Sequence, residues 1–244
     1  MAADTVLIEY SLKLQNGEQK RHQIHLDAAT MALRNAPPAV LPEWTRLGFH
    51  QCSNCPLSAA CHSHCPVAVG LLEVVESFKN SLSHEVVDVT VQTPQRTYVK
   101  RAPFQDVVRS LMGLHMAASG CPILDKLRPM VYTHLPFATM EETLYRAVSM
   151  YLTAQYVLWK KGLKPDWELR DLVANYEAIS VVNVAFGKRI LSINTLDANL
   201  NALASLDCFA GMASLSIPEN YLDEIESLFE AYLKPGSASD DCAA

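Results

Sequence analysis

Four cysteines crowd into fourteen residues. Cys52-Ser53-Asn54-Cys55-Pro56-Leu57 is followed by Cys61-His62-Ser63-His64-Cys65-Pro66, a C-x2-C-x5-C-x3-C spacing. Pro37, Pro38 and Pro42 precede the stretch, so from about Ala36 to Pro66 regular backbone ladders are broken and something else must order the chain. A two-residue gap lets both sulfurs of a pair face one centre, and the short link to the second pair lets all four converge without long-range folding. Cys52, Cys55, Cys61 and Cys65 are therefore the expected metal ligands. Such close crowding, with a proline after the last cysteine, fits an iron–sulfur cluster of the 4Fe-4S type better than zinc, whose short pairs usually sit on separate turns. Zinc is the alternative cofactor. His62 and His64 flank Cys61 and Cys65 too closely to join one ion and are expected to be solvent-facing loop residues.

Compartment bears on how the thiols are read. The amino terminus lacks a basic start followed by an apolar stretch, and no segment reads as long and apolar enough to span a bilayer. The expectation is a reducing cytoplasm, where seven cysteines are ligands, thiols or core residues rather than disulfides. A net charge of -6 with scattered basic residues argues against nucleic acid as a partner.

Around the cysteines the chain reads as α+β: two β-hairpins and a cysteine-rich loop packed on a mainly helical bundle. Alternation from Thr5 to Leu14 and from His22 to Leu26, joined at Asn16-Gly17, predicts one hairpin, and Glu85–Val91 with Arg96–Lys100 predicts another. Val67–Phe78 has helical spacing. From Pro103 the pattern is helical: Phe104, Val107, Val108, Leu111 and Leu114 form a stripe that closes at Gly120. Thr139 with Glu142 is a capping box for a helix ending at Gly162, Asp166 caps the next, and Ser216 with Glu219 predicts a third start. Residues 1–102 are expected to carry the hairpins and metal segment, 103–235 the bundle, and 236–244 a disordered tail.

A second block offers chemistry of its own. In Ser119-Gly120-Cys121-Pro122 the thiol stands at the start of a helical turn, where unpaired N–H groups favour a thiolate. Cys121 is then a candidate nucleophile with His134 as base, or a ligand for a cluster that lacks one. The alternative is a small buried core residue beside a helix stop. His115 is expected to be a hydrogen-bonded boundary residue, and Glu142 with Arg146 a surface i, i+4 pair.

The blocks Cys52-Ser53-Asn54-Cys55-Pro56-Leu57, Cys65-Pro66-Val67-Ala68, Ser119-Gly120-Cys121-Pro122 and His134-Leu135-Pro136-Phe137-Ala138, with Glu142-Thr143-Leu144, resemble an uncharacterised bacterial protein family of unknown function. The likeness runs from about Trp44 to Tyr156. It implies a bacterial, cytoplasmic origin and a shared neighbourhood for Cys121, His134 and the cluster, but no activity. The cysteine spacing alone also resembles the auxiliary cluster segments of some radical S-adenosylmethionine enzymes. The C-x3-C-x2-C motif of those enzymes is absent, so their chemistry does not carry over. Three functions compete: a redox or sensing protein with an iron–sulfur centre and a redox or protein partner, a zinc-stapled interaction module, and a thiol-dependent enzyme using Cys121.

Overall fold

A computed structural model describes residues 4–193, 196–219 and 221–234. The tail expected from residue 236 and the seventh cysteine, Cys242, lie outside the described residues.

Both hairpins form. β1 (Thr5–Lys13) turns through Gly17, whose φ of 86° favours glycine, into β2 (Gln19–Asp27). β3 (Val86–Gln92) pairs with β4 (Thr97–Pro103). β1 also pairs with β3, so the hairpins make one antiparallel sheet in the order β2-β1-β3-β4. The buried face carries Ile8, Tyr10, Leu12, Ile24, Leu26, Val87, Val89 and Val91. Alternation set this face, because shifting the register by one residue would turn every one of these side chains to solvent.

The run expected over Val67–Phe78 divides into α1 (Pro66–Gly70) and α2 (Leu72–Phe78). α3 (Phe104–Ala118) lays its predicted stripe in the core and stops where Gly120 takes φ +83°. α4 (Arg128–Tyr132) is short. α5 (Met140–Lys160) begins on the capping box: Thr139 Oγ1 accepts from Glu142 N at 3.2 Å, and the Glu142 carboxylate accepts from Thr139 N at 2.8 Å. α6 (Arg170–Leu191) starts after Leu169, and Asp166 accepts from the Asp171 N–H in its first turn. The start expected at Ser216 is not one. Ser216 lies inside α7 (Asp197–Glu219), which is followed by α8 (Tyr221–Ile225) and α9 (Glu230–Leu233).

α7 also corrects the reading of bilayer-length segments. Asp197–Ile217 has a mean hydropathy of 1.4 and is long and apolar enough to cross a membrane. Here it packs on α6 and α3, with Asn199 donating to the Val75 carbonyl and Ser180 to Asp207.

Two histidines, His22 and His115, are buried in this core, His115 more deeply than a boundary residue, and His134 is half-buried at its edge. His115 Nδ1–H donates to the Gly70 carbonyl at 2.8 Å, His22 packs on Phe78, and His134 meets Tyr10. Desolvation pushes their imidazoles down to about 4 for His22 and His115 and about 3 for His134. Unfolding restores the ordinary value, so the unfolded chain binds protons that the folded chain refuses. Their contribution is therefore full above about pH 6.5 and drains as pH falls toward 4. At about pH 5 each histidine should cost roughly 2 kcal/mol. Denaturant titrations at neutral pH and at pH 5 measure the loss, and His115→Gln should remove about a third of it.

Candidate metal centre

The cysteine segment is clamped at its two ends. Trp44 and Thr45 are buried in a short 3-10 turn, Cys65 N donates to Thr45 O at 2.8 Å, Leu47 N donates to Ser63 O at 3.0 Å, and Arg46 bridges His64. Between these clamps Cys55 N donates to Cys52 O at 3.1 Å, a tight turn that brings the first pair together. Asn54 ties this turn to α6 by donating to Ala178 O at 2.9 Å. Cys65 stands at the N-cap of α1, where Pro66 supplies the preset first helical position.

Three of the four predicted cysteines come together, and the fourth is replaced. Cys52, Cys55 and Cys65 line one enclosed cavity of about 20 Å3, and the sulfur that joins them there is Cys121. Cys61 is exposed, on a separate turn in which its N–H and that of His62 donate to Ser58 O. His62 is exposed as expected, whereas His64 is half-buried with Nδ1 2.8 Å from Thr45 Oγ1. His50, not singled out by its sequence context, also lines the cavity.

Cys121 arrives from the far end of α3. The positive φ of Gly120 reverses the chain there and sets the thiol, 8 % exposed, facing the Cys52–Cys65 loop. Burial raises its pKa, while the N–H groups of Leu124 and Ile123 pull the other way. The sequence-level expectation of a helical-turn N–H environment is thus met, but desolvation outweighs it. Burial, with repulsion from Cys65, Cys55 and Cys121, pushes the Cys52 thiol up to about 11. Metal-free, Cys52 and Cys121 are held as thiols. His134 is not at this site: it lines a neighbouring cavity and bonds to Tyr10. The pairing of Cys121 with His134 as nucleophile and base therefore has no geometry behind it.

The residue that sequence reasoning missed is Arg189. It is 2 % exposed, and its guanidinium donates to the carbonyls of Trp44, Arg46 and Leu47 and lies 5.8 Å from the Phe49 ring centre. Its ionisable neighbours are Cys65, Cys52 and Cys55 rather than a carboxylate. Arginine stays protonated in proteins, so a full positive charge lies beside the cysteines.

Among the described residues no group of three or more His, Cys, Asp or Glu side chains is gathered closely enough to hold a single metal ion. The four sulfurs share a cavity without forming a mononuclear shell, whose tetrahedral zinc–sulfur geometry needs sulfurs about 3.8 Å apart.

A family model described as a domain of unknown function, DUF6901, matches residues 8–230. The chain belongs to this family. No curated protein and no solved structure is similar to it. The match spans most of the sheet, the cysteine loop and the bundle, and it extends well beyond the blocks from Trp44 to Tyr156. It carries no activity, and nothing in it supports the likeness to radical S-adenosylmethionine enzymes.

Proposed function

We propose that this protein carries a cysteine-ligated iron–sulfur cluster on Cys52, Cys55, Cys65 and Cys121, with a redox or sensing role. The observation that carries the reading is the convergence of these four cysteines, from two distant parts of the chain, on one buried cavity. Four neutral thiols would leave Arg189 buried with no counter-charge, an arrangement that costs several kcal/mol. Four thiolates holding iron leave a net negative centre, and the guanidinium then has its partner. Four cysteines lining one cavity suit a cluster in which each thiolate binds a different iron. Such a cluster supplies one-electron transfer or a site for oxidants to attack. Burial of Cys121 keeps water off its side of the centre, and the exposed Cys61 remains a free thiol.

The test is iron, sulfide and zinc analysis with an absorption spectrum on protein purified without oxygen. A brown protein with about four irons and four sulfides per chain is expected. A colourless protein with one zinc per chain would overturn the cluster in favour of the metal-stapled module.

A further inference from the structure

Behind the cysteine cavity lies a second one, of about 180 Å3, between α3, α6, α7 and the 124–138 segment. Its wall is mostly apolar, with Leu114, Leu124, Leu127, Met116, Met130 and Phe209 among the lining. For scale, an engineered apolar cavity of about 150 Å3 holds a benzene molecule. The space is that of one aromatic ring or a medium-length alkyl chain.

Some of the polar groups in this wall are not fully engaged by the protein. Asn183, 3 % exposed, and Tyr176, 6 % exposed, sit two turns apart on one face of α6, and neither side chain has a hydrogen-bond partner among the described residues. Arg146 crosses from α5 and reaches toward both Tyr176 and His134. One of its terminal nitrogens donates to Met130 O at 2.8 Å and Thr133 O at 2.9 Å, while Nε is buried without a partner. The expected surface pair with Glu142 does not form, because that carboxylate is committed to the Thr139 cap. Buried polar groups in native proteins are nearly always satisfied, and the one in this wall that is not, Arg146 Nε, marks a missing partner.

His134 limits what that partner is. Its Nε2 is 2.6 Å from the Tyr10 hydroxyl, which is 2.9 Å from Ser110 Oγ, so this side of the wall is a closed, neutral network. The charge here is the Arg146 guanidinium, which feels the Glu142 carboxylate nearby but makes no direct ion pair with it among the described residues. Arg109, at the other side, already meets Asp106 at 3.6 Å, Ser205 at 3.0 Å and the Phe209 ring.

We infer that this cavity is a binding site for a small apolar carboxylic acid, its body of about eight carbons among the leucines and methionines and its carboxylate on Arg146 beside Tyr176. A carboxylate accepts from both a guanidinium and a phenol, and the apolar wall excludes highly charged anions such as phosphates. The inference does not rest on the metal reading.

The test uses the full chain, titrated by calorimetry with phenylacetate and, separately, octanoate, the aromatic and aliphatic versions of this chemistry. Phenylacetamide is the neutral control. Saturable binding of at least one acid is expected, with the amide about tenfold weaker or worse and Arg146→Met weakened by a similar factor. Because Arg146 also braces the chain after α4, a second readout avoids the variant: methyl-labelled methionine spectra should show Met116 and Met130 moving on ligand addition. Met150, which lines an adjoining surface cleft, should stay still. Failure of both acids to bind at millimolar concentration, equal binding of the amide, or shifts confined to Met150 would each overturn the inference.

Discussion

Replacing Cys121 with serine is expected to strip the proposed metal centre, whereas Cys61→Ser is expected to leave iron content and spectrum unchanged. Sequence spacing alone assigns the opposite roles, since Cys61 lies in the compact run and Cys121 does not. The structure separates them by position: one thiol is in the shared cavity and the other is in solvent. Even outer-shell changes at metal sites cost 10–100-fold in affinity, so loss of a thiolate ligand should weaken retention by more than about a hundredfold. Iron remaining after challenge with a chelator measures this. Serine is close to cysteine in size, and the N–H groups of Leu124 and Ile123 are placed to bond its hydroxyl. The metal-free fold should therefore survive, and circular dichroism checks that it does. Iron retained in Cys121→Ser but lost in Cys61→Ser would restore the linear four-cysteine run and remove the structural reading.

Why the sequence conceals this follows from chain geometry. Cys52, Cys55 and Cys65 are legible because short spacings keep their sulfurs near one another in almost any conformation. Cys121 is legible as a ligand for a cluster that lacks one, and α3 and its stop at Gly120 are legible too, but the three cysteines it meets are set by the packing of α3 and not by spacing. The hairpins and the α5 cap were legible for the same local reason, alternation in one case and a three-residue reciprocal bond in the other. α7 was not read because small residues such as Ala198, Ala202, Ala210 and Ala213 fill its buried face, and alanine marks no clear stripe. Ser216-x-x-Glu219 matches a capping box, yet the helix already running through it has no free N–H groups there to cap. His134 and Cys121 look like neighbours along the chain. The turn after Cys121 nevertheless sends consecutive side chains to different places: Ile123 faces the cysteines and Leu124 the second cavity, as Val182 and Asn183 do on α6.

That thin partition gives Arg189 its importance, because the helix separating the two cavities is held to the cysteine loop at its C-terminal end by this one side chain. In sequence, Lys188-Arg189 near a helix end looks like ordinary pairing with the helix dipole. In the fold it supplies donors to three carbonyls of the loop and a charge to the thiols. Arg189→Met should therefore destabilise the protein by about 3–5 kcal/mol, through carbonyls left buried without donors. It should also lose metal, because the negative centre would then be buried without a counter-charge. Arg189→Lys separates the two effects. Its ammonium keeps the charge but cannot reproduce the planar fork that serves several carbonyls. The lysine variant should retain most of its iron while unfolding at lower denaturant than the parent, and the methionine variant should fail on both counts. Equal iron in the parent and the methionine variant would mean that the guanidinium is only a clamp, and that the thiols beside it do not carry the charge assigned to them.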